Sequence, residues 1–536
     1  MSGKINDIAL ALRTVRYLKP VQIVYQFRYR MLSYIRKCGI LRPRLDIYKP
    51  GKALEFAPFI PKYDTYLGDN TFRYINITSR TEDWNCSLNG DLWRYNLNYM
   101  DFLCQRTAVC ASECVRLMSD FIERAASDRV VSDPYPVSLR SVNWIKFIST
   151  HRDAVDGVNQ VRFDTFLYSQ LVHLMRNPEK HLMGNHLLEN GFALLFGAYY
   201  FNDVRMLSAA AGILKGQLEE QVLSDGCHCE LSPMYHCIMT DRVLDCINLM
   251  ANNRRFEEPS AAELETLLVK SASAMLGWIK AMAPDGEKMP LFGDSAFGIA
   301  PSFDELAEYA SVLGVSPAGQ VLGESGYRFV KGPWYKVWAD VGQTGLSYNM
   351  GHAHADSLSF VMTVKGKGFL ADTGISTYNV CGRRLYERSS MAHNTVTVDN
   401  LDSSRVWASF RCAERCRVTL FEDTATRISA SHDGYASLGM VHSRTFEASD
   451  RSFVIRDIIS EGGCHNPVAH FHLAENVNIL ELTADRLVTD VATISFCGAT
   501  GVSSDENTVS EEYNVFKKSV CVHVSFKDSL VSTITE

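Results

Sequence analysis

The sequence has no hydrophobic run long enough to cross a membrane, which takes about 18 consecutive apolar residues or more. It also has no long apolar segment of the signal-peptide type near its start, because the run Ile8–Leu12 is short and leads into Arg13 and Arg16. From the sequence as written, we therefore expect a cytoplasmic protein with no integral membrane segment. A periplasmic protein whose leader has been removed would look the same.

An excess of positive charge and a disulfide framework are also missing. The 536 residues carry a formal net charge of −7, which predicts no nucleic-acid partner and requires that any anionic polymer bind in a local basic cleft. The 15 cysteines are odd in number and irregularly spaced, which indicates reduced thiols. Cys227-His228-Cys229 has the residue types of metal ligands. However, two cysteines at this spacing are more often buried, reduced thiols that pack as small apolar side chains.

The residues that are present divide the chain into three regions. Residues 1–70 form an N-terminal extension, in which a basic amphipathic helical stretch over residues 5–40 precedes an irregular segment rich in Pro, Tyr and Lys. The basic stretch fits either contact with an anionic surface or a solvated helix face. Residues 71–325 show helical periodicity, and residues 326–536 show short β-type runs separated by turns.

These patterns predict an α+β protein with two main domains. Many helices joined by short loops predict a helical toroid or bundle, and the short strands predict an antiparallel β-sandwich with a hairpin turn at Lys365–Gly368. The helices are predicted over Leu97–Cys114, Asp164–Leu174, His186–Asn202, Met206–Leu223, Asp241–Ala251 and Ala261–Met282. The strands are predicted over Arg328–Val341, Ser357–Val364, Gly368–Asp372, Thr395–Val398, Arg417–Leu420, Thr426–Ser431 and Phe453–Ile459.

The most distinctive segment is Gly351-His352-Ala353-His354-Ala355-Asp356. In an extended strand, alternate side chains share one face, so His352, His354 and Asp356 would project together with the alanines behind them. Two imidazoles and a carboxylate on one face suit a proton-transfer site, a metal site or both.

Two segments of the helical region carry further polar groups. Gly184–Gly191 begins a helix in which Asn185 is a candidate N-cap. Asn185 and His186 lie where free backbone N–H groups stabilise an anion such as a substrate carboxylate. Ser232-Pro233 begins another helix, which places Tyr235 in its first or second turn. A tyrosine there is either a packed aromatic or a general acid or base whose pKa of about 10 has to be lowered by nearby cations.

A fourth polar cluster lies in the β-rich region. Asp372-Thr373-Gly374 is followed by Arg383, Arg384 and Arg388, and then by His393. The arginines fit either bidentate contact with sulfate or carboxylate groups of a ligand, or salt bridges within the protein.

Taken together, these segments resemble the heparinase II/III family of polysaccharide lyases. The resemblance runs in family order from about residue 90 to about residue 410, and the stretch that follows matches only in its β character. The matching segments are Leu92–Asn96, Arg140–Trp144, Gly184–Phe192, Glu230–His236, Gly351–Asp356, Leu358–Phe360, Ala371–Gly374, Arg388–Ser390 and Ala392–Asp399.

The resemblance implies an incomplete (α/α) toroid followed by an antiparallel β-sandwich, and β-elimination at a uronic acid. In that reaction the C5 proton is removed, the C4–O glycosidic bond breaks, and a 4,5-unsaturated uronide remains. The carboxylate next to C5 resists a second negative charge, so an enzyme must neutralise it and supply a base and an acid. The implied substrate is a glycosaminoglycan of the heparan, chondroitin or hyaluronan type, with alginate or another uronate polymer as the alternative.

The matching positions imply roles for individual residues. Asn185, helped by His186, holds the uronate carboxylate. Tyr235 protonates the leaving oxygen and can also remove the C5 proton. His352 is the base for the opposite C5 epimer, or it stabilises ionised Tyr235. Trp93 fits a sugar-stacking position or the core. The implied substrate-binding residues are Trp93, Asn96, Arg140, Asn143, Glu230 and Arg388.

The resemblance also implies a metal site and no organic cofactor. His354, Asp372 and His393 match positions that bind a structural, zinc-type divalent metal in several relatives. If the hairpin turn centres on Gly366-Lys367, Asp372 pairs with Val361 and lies roughly 20 Å from His354 along a strand. The hairpin alone therefore does not assemble the metal site, and a bend or a strand crossing has to do so.

Two other functions fit parts of the sequence. A glycoside hydrolase on the same architecture needs two carboxylates that flank the bond, and Glu230 and Asp356 are the candidates within the motifs. A non-catalytic protein of exopolysaccharide binding or biosynthesis fits the missing signal peptide. The sequence carries no indication of the oligomeric state.

Overall fold

Helices predominate up to residue 312 and strands from residue 327, and the exceptions are a hairpin over residues 71–80 and a short helix over residues 382–387. The computed structural model describes residues 2–38, 46–125, 132–460 and 464–536. Part of the predicted N-terminal extension, namely Met1 and residues 39–45, lies outside the described residues. The predicted fold class is confirmed, since the helices form an incomplete (α/α) toroid and the strands an antiparallel β-sandwich.

The helices of the described residues begin and end as follows: α1 Ser2–Val15, α2 Pro20–Lys37, α3 Asp91–Tyr99, α4 Ala111–Ala125, α5 Pro134–Thr150, α6 Gly157–Arg176, α7 Gly184–Phe201, α8 Val204–Gln221, α9 Pro233–Asn252, α10 Pro259–Met282, α11 Phe303–Val312 and α12 Gly382–Glu387. None of these helices is both long and apolar enough to cross a membrane.

The strands of the described residues are β1 Thr71–Tyr74, β2 Ile77–Arg80, β3 Tyr327–Lys331, β4 Tyr335–Asp340, β5 Phe360–Val364, β6 Lys367–Leu370, β7 Val396–Val398, β8 Val406–Trp407, β9 Arg411–Cys412, β10 Val418–Asp423, β11 Arg427–His432, β12 His442–Ala448, β13 Phe453–Ile459, β14 Pro467–His472, β15 Ile479–Leu482, β16 Arg486–Thr489, β17 Thr493–Val509 and β18 Lys517–Thr535.

Helix α7 is the centre of the toroid. It is apolar on nearly all sides, which is typical of a helix surrounded by protein, and α5, α6, α8 and α9 pack against it. Its first turn carries the consecutive polar residues Asn185 and His186, and Glu189 and Asn190 follow one turn later. The burial of the rest of α7 therefore holds this polar turn at one end of the toroid.

The predicted helix Leu97–Cys114 is wrong. Left-handed backbone at Met100, with φ of 56°, ends α3, and the chain continues through a short 3-10 turn to the start of α4. The side chain of Gln105 then accepts from the backbone N–H groups of Thr65 and Tyr66. A tertiary contact thus replaces the helix that the apolar spacing predicts.

The sandwich consists of two facing sheets. The smaller sheet has the order β3-β4-β5-β6, and the larger runs β10-β11-β12-β13-β18-β17-β16-β15, with β14 pairing both β18 and β7. Burial alternates along β5 and along β13, as expected for strands with one face in the core. Phe360 of the smaller sheet contacts Phe446 of the larger one at 5.7 Å between ring centroids. The predicted hairpin turn joins β5 to β6.

The two domains are bound to each other by buried polar contacts. The Trp338 indole donates to the carbonyl of Met282 at 2.8 Å, and the Tyr327 hydroxyl donates to the carbonyl of Leu231 at 2.5 Å. Within the toroid, the Asp225 carboxylate accepts three hydrogen bonds from Gly323 and Ser325, which lead into the first strand of the sandwich. A site built from both domains therefore has rigidly placed walls.

The N-terminal helices connect the two domains on the outside. Arg13 of α1 pairs with Glu414 of the sandwich at 2.6 Å, and Lys19, just before α2, pairs with Glu220 of the toroid at 2.7 Å. Both pairs are partly exposed and contribute about 0–1 kcal/mol each. These two basic side chains of the predicted stretch are thus engaged with the protein itself.

A buried ion pair lies within the sandwich. The Arg444 guanidinium donates to both oxygens of Asp457 at 2.7 and 3.0 Å, and His442 donates to the same carboxylate at 2.8 Å. Burial by itself raises the pKa of Asp457, but Arg444 and His442 outweigh it and lower the pKa to about 2. The carboxylate is therefore held ionised in the folded protein.

We expect this pair to make the fold acid-sensitive. Because the folded pKa of about 2 lies below the ordinary 3.8, the stabilisation is complete above the unfolded value and is lost as pH falls toward 2. The difference corresponds to roughly 2 kcal/mol. Asp457→Asn leaves Arg444 buried without a counter-charge and is expected to lower the free energy of unfolding by about 3–5 kcal/mol at neutral pH.

Urea unfolding of the wild type and the variant across this pH range measures both effects. The control is Asp69→Asn, which breaks the exposed pair to Arg80 and is expected to cost less than about 1 kcal/mol. Equal stability of the two variants at neutral pH would contradict the assignment.

Candidate active site

Three residues predicted to be catalytic and Glu230, which was predicted to bind substrate, come from both domains and meet where the domains touch. Asn185 lies in the first turn of α7, Glu230 just before α9, and Tyr235 in the first turn of α9. His352 comes from the loop between β4 and β5 of the sandwich. The distances below show that Asn185, Glu230, Tyr235 and His352 form one connected group.

Asn185 and Glu230 make a two-point contact. The Glu230 carboxylate accepts from the Asn185 backbone N–H at 2.9 Å and from the Asn185 side-chain amide at 2.7 Å. Asn185 is not the predicted N-cap, because Met183 occupies that position with φ of 60° and Asn185 is the second helical residue. Its side chain is thus free to bind Glu230 instead of capping the helix.

This contact fixes the orientation of the Asn185 amide. Since its nitrogen donates to Glu230, its oxygen must face the other way. That oxygen is buried and has no hydrogen-bond partner among the described residues. A buried acceptor without a partner costs about 1–3 kcal/mol, so a bound group that carries a proton would stabilise it.

Glu230 is held as an anion. Burial raises the pKa of its carboxyl group, but His352, His228 and the two Asn185 hydrogen bonds outweigh burial, and the net shift is downward. The nearest imidazole nitrogen, Nε2 of His352, lies 3.8 Å from the carboxylate. A general acid requires the opposite shift, so Glu230 is unsuited to protonating a leaving group.

Tyr235 stacks on His352. Their ring centroids are 3.8 Å apart and their planes differ by 24°. The Tyr235 hydroxyl lies 3.4 Å from the hydroxyl of Tyr378, a residue that sequence reasoning missed because no motif surrounds it. Ser232 caps α9 by accepting from the Tyr235 N–H, so the helix start sets the position of the ring.

The Tyr235 hydroxyl keeps its proton at neutral pH. Burial is the largest cause that raises its pKa above the ordinary value of 10, and Asp294 and Glu230 add to it. Tyr378 and Arg384 act in the opposite direction but do not outweigh burial. In this state the phenol is suited to giving a proton rather than taking one.

His352 is oriented by a carboxylate that sequence reasoning missed. Its Nδ1 donates to Asp294 Oδ2 at 3.0 Å, which leaves Nε2 as the basic nitrogen, 3.5 Å from the Asn185 amide. Asp294 follows Gly293, whose φ of 55° lets the chain approach the His352 carbonyl closely. The only sequence signal was this short Gly-Asp-Ser turn, which carries no periodicity.

Asp294 is also the partner of the second histidine of the motif. His354 Nε2 donates to Asp294 Oδ1 at 2.9 Å, and Arg384 binds both carboxylate oxygens at 2.5 and 2.8 Å. The extended conformation considered for residues 351–356 is not formed, because this segment is a loop and β5 begins only at Phe360. A shared carboxylate, rather than strand alternation, brings His352 and His354 to the same side.

His186 lies beside the group and has its own partners. Its Nδ1 is 3.2 Å from Glu179 Oε1, and its ring packs on Tyr135 with 4.3 Å between centroids. Burial lowers the pKa of His186, but Glu179 outweighs it and the pKa is raised. The imidazole therefore carries more positive charge near neutral pH than an ordinary histidine.

Most of the predicted sugar-binding residues are buried structural groups. Trp93 donates to the carbonyl of Ile77, Arg140 donates to the carbonyl of Asn98, and Asn143 donates to the carbonyl of Tyr99. These three side chains have at most 2% of their surface exposed and are engaged with backbone carbonyls of the protein, and their contact with a polymer stays a prediction.

Of the three other predicted sugar contacts, Glu230 lies in the contact group with Asn185, whereas Arg388 and Asn96 lie outside it and differ from each other. Arg388 is also buried, and its guanidinium donates to three backbone carbonyls, including that of Ala353. Asn96 is partly exposed and donates to the carbonyl of Leu92 within its own helix. The ligand-binding interpretation of the arginine cluster is wrong for Arg384, which is fully buried against Asp294.

Two of the three predicted metal ligands, His354 and His393, lie in a second cluster behind Asp294. Candidate ligand atoms of His354, Asp356 and His393 lie within 4.8 Å of one another. His354 Nδ1 and His393 Nε2 are both buried and have no partner in the described part of the chain. These orphaned nitrogens and the carboxylate fit a divalent transition metal.

Asp372 has a different position from the one predicted. It accepts from His393 Nδ1 at 2.7 Å, on the side of the ring opposite to the orphaned nitrogen, so Asp356 takes its place in the cluster. The hairpin register alone leaves Asp372 far from His354. The chain segment that precedes β7 crosses the ends of β5 and β6 at Asn394 and brings the two clusters together. The Asn394 side-chain amide donates to the carbonyls of Phe360 and Ala371, which ties the ends of β5 and β6 to the segment before β7.

Comparison with known proteins gives the same family for both domains. The heparinase II/III N-terminus matches residues 139–320, and the heparinase II/III-like C-terminal domain matches residues 315–531. A heparin-sulfate lyase of Pedobacter heparinus is 25% identical over 251 residues, which is 40% of this chain and 36% of the relative. The aligned part thus spans about a third of that relative's length.

Solved structures share the fold. A heparinase III superposes with a TM-score of 0.62 at 15% identity, covering 83% of this chain and 76% of that one. The heparan sulfate lyase of Pedobacter heparinus superposes with a TM-score of 0.55 at 18% identity, covering 87% of this chain and 81% of that one. At these identities the superpositions establish the architecture alone.

The Asn185–Glu230 contact depends on the absence of a side chain at Gly184. Its φ is 55°, and a Cβ there would lie 2.1 Å from Glu230 Oε1. We expect Gly184→Ala to displace Glu230 and to lower the free energy of unfolding by about 2–4 kcal/mol, as measured by denaturant unfolding.

The control is Gly212→Ala in α8, where a Cβ meets open space. A glycine in a helix interior costs about 1 kcal/mol relative to alanine, so this variant should be as stable as the wild type or more so. If both variants unfolded at the same denaturant concentration, the close approach of Gly184 to Glu230 would be refuted.

Proposed function

The chain belongs to the heparinase II/III-like family, and on that premise we propose that it is a polysaccharide lyase. It cleaves uronate-containing glycosaminoglycans of the heparan, chondroitin or hyaluronan type by β-elimination and leaves 4,5-unsaturated uronide ends. The observation that carries the proposal is the contact group of Asn185, Glu230, Tyr235 and His352 between the two domains. The names of the heparin-sulfate and heparan sulfate lyases above favour this class of polymer.

The first task of such an enzyme is to neutralise the uronate carboxylate. The Asn185 amide oxygen can accept but not donate, so it favours a carboxyl group that carries or shares a proton. The nearby Glu230 anion acts in the same direction, because a like charge raises the pKa of a bound acid. Together they make the C5 proton easier to remove.

The second task is proton transfer. His352 Nε2 removes the C5 proton, since Asp294 holds Nδ1 protonated and leaves Nε2 basic. The electron pair of the C5–H bond forms the C4=C5 double bond, the C4–O bond breaks, and the Tyr235 hydroxyl protonates the leaving oxygen. The raised pKa of Tyr235 fits a group that enters the reaction with its proton. No water is consumed.

A glycoside hydrolase is a weaker match for the same geometry. It needs a protonated carboxylic acid and a second carboxylate on either side of the bond. Glu230 is ionised and accepts two hydrogen bonds from Asn185, while Asp356 lies in the histidine cluster behind Asp294. Neither carboxyl group has the environment of a general acid.

A structural divalent metal is part of the proposal. His354, Asp356 and His393 would hold it, and Asp372 would orient His393 from its outer nitrogen. The metal would supply positive charge behind Asp294 and fix the loop that carries His352. The residues that face the substrate are still those of the contact group, Asn185, Glu230, Tyr235 and His352.

A panel of uronate polymers tests the activity directly. We expect ultraviolet absorbance to rise with heparan, chondroitin or hyaluronan chains, because each elimination creates a conjugated double bond. Mass analysis should give products that together have the mass of the substrate, without added water. Products heavier by one water per cut, or no product from any uronate polymer with folded protein, would refute the proposal.

Tyr235→Phe tests the acid. We expect it to lower kcat by about 10²–10⁴-fold and to leave polymer binding unchanged, because it removes only the transferable proton. The matched control is Tyr335→Phe, whose hydroxyl donates to the carbonyl of Ser449 in the sandwich, away from the site, and should keep full activity. Undiminished turnover by the Tyr235 variant would remove this residue from the mechanism.

A further inference from the structure

A second group of metal-ligating side chains lies on the outer face of the larger sheet. His470 of β14 is directly opposite His523 of β18 in the strand register, and Cys521 is two residues from His523 on the same face. The opposite face of these strands carries Phe471 and Val522, which are in the sandwich core. The catalytic group described above uses none of the three polar residues.

Their ligand atoms converge at distances close to those of a metal site. His470 Nδ1 and His523 Nδ1 are 2.9 Å apart, and Cys521 Sγ is 3.8 Å from His523 Nδ1. All three ligand atoms lie within 4.8 Å of one another. In a tetrahedral zinc site, nitrogen ligands are about 3.3 Å apart and a sulfur and a nitrogen about 3.6 Å.

The outer nitrogens of both imidazoles are already held. Thr397 Oγ1 lies 2.8 Å from His470 Nε2, and Asp505 lies 3.4 Å from His523 Nε2. Such outer contacts are typical of metal-binding histidines, because they fix the ring orientation and raise the basicity of the nitrogen that faces the metal. They leave the two Nδ1 atoms facing each other.

The neighbouring His472 is not part of this set. Its Nε2 donates to the carbonyl of Met391 at 3.0 Å, and its Nδ1 accepts from the Asn507 amide at 2.9 Å. Both of its nitrogens thus bind groups that are not metal ligands. In His470 and His523, by contrast, the two Nδ1 atoms contact each other, so both are available to one metal ion, whereas His472 is excluded although it is 3.6 Å from Cys521 Sγ.

We propose that His470, Cys521 and His523 bind a thiophilic divalent metal ion, with Zn²⁺ as the expected ion. Two imidazoles and a thiolate are ligands that Zn²⁺ prefers. The Cys521 thiol loses its proton to solvent as the Zn–S bond forms. The side chain of His523 is 20% exposed, so the ion enters from solvent and a water completes the coordination.

The expected role of the ion is structural. It would link β14 to β18 from the outer face, opposite to the apolar core that holds the same strands together. This site is independent of the proposed lyase activity, and it differs from the cluster of His354, Asp356 and His393 in having a thiolate. That difference allows the two sites to be told apart spectroscopically.

Titration of the metal-free full chain with Co²⁺ tests the proposal. We expect a thiolate-to-cobalt charge-transfer band in the near ultraviolet that saturates as Co²⁺ is added and disappears when Zn²⁺ is added. Cys521→Ser should abolish the band, and His523→Asn, at a partly exposed position, should weaken Co²⁺ binding at least tenfold. Cys497→Ser, which removes an exposed thiol of the adjacent β17, should leave the band unchanged.

A folded wild-type chain that gives no such band at saturating Co²⁺ overturns the proposal, and so does a band that survives in Cys521→Ser or is lost in Cys497→Ser. If the Cys521 variant does not fold, the result with His523→Asn decides, and binding equal to wild type in that variant counts against the site. None of these readouts depends on polysaccharide cleavage.

Discussion

The structure of the site depends on one buried carboxylate, that of Asp294. Taking a carboxylate out of water costs several kcal/mol unless it is paired and hydrogen-bonded, and here Arg384, His352 and His354 supply the partners. The backbone carbonyl of the same residue accepts from Ser232, the cap of the helix that carries Tyr235. Asp294 thereby positions both Tyr235, through the start of its helix, and His352, through its imidazole.

A consequence is that the arginines in and beside the motifs are not free to meet an anionic polymer. Arg384 and Arg388 are buried among groups of the protein itself, as is Arg140 in the toroid. The contact group instead presents an amide oxygen of Asn185 and the anion of Glu230. In such surroundings a uronate of the proposed substrate would bind best when it shares a proton, which is the state that the proposed β-elimination requires.

The sandwich acts as the rigid support of these groups. Asn394 joins the ends of β5 and β6 to the segment before β7, and its side-chain oxygen accepts from the backbone of His472 in β14. This crossing brings His393 and Asp372 next to the loop that carries His352 and His354. The register of the β5–β6 hairpin alone does not bring them there. The candidate zinc ligands lie on the neighbouring strands, so both histidine clusters share one scaffold.

The sequence by itself determined the two domain types and the family motifs, because helical and strand periodicity and short motifs are local properties of the chain. Asn185, Glu230, Tyr235 and His352 were found in this way. The tertiary structure alone decided the role of Asp294, since its charge partners lie 58 to 90 positions away. It also decided that motif arginines and Trp93 are interior groups. Burial and charge pairing depend on neighbours that are distant in the chain, and no local pattern encodes them.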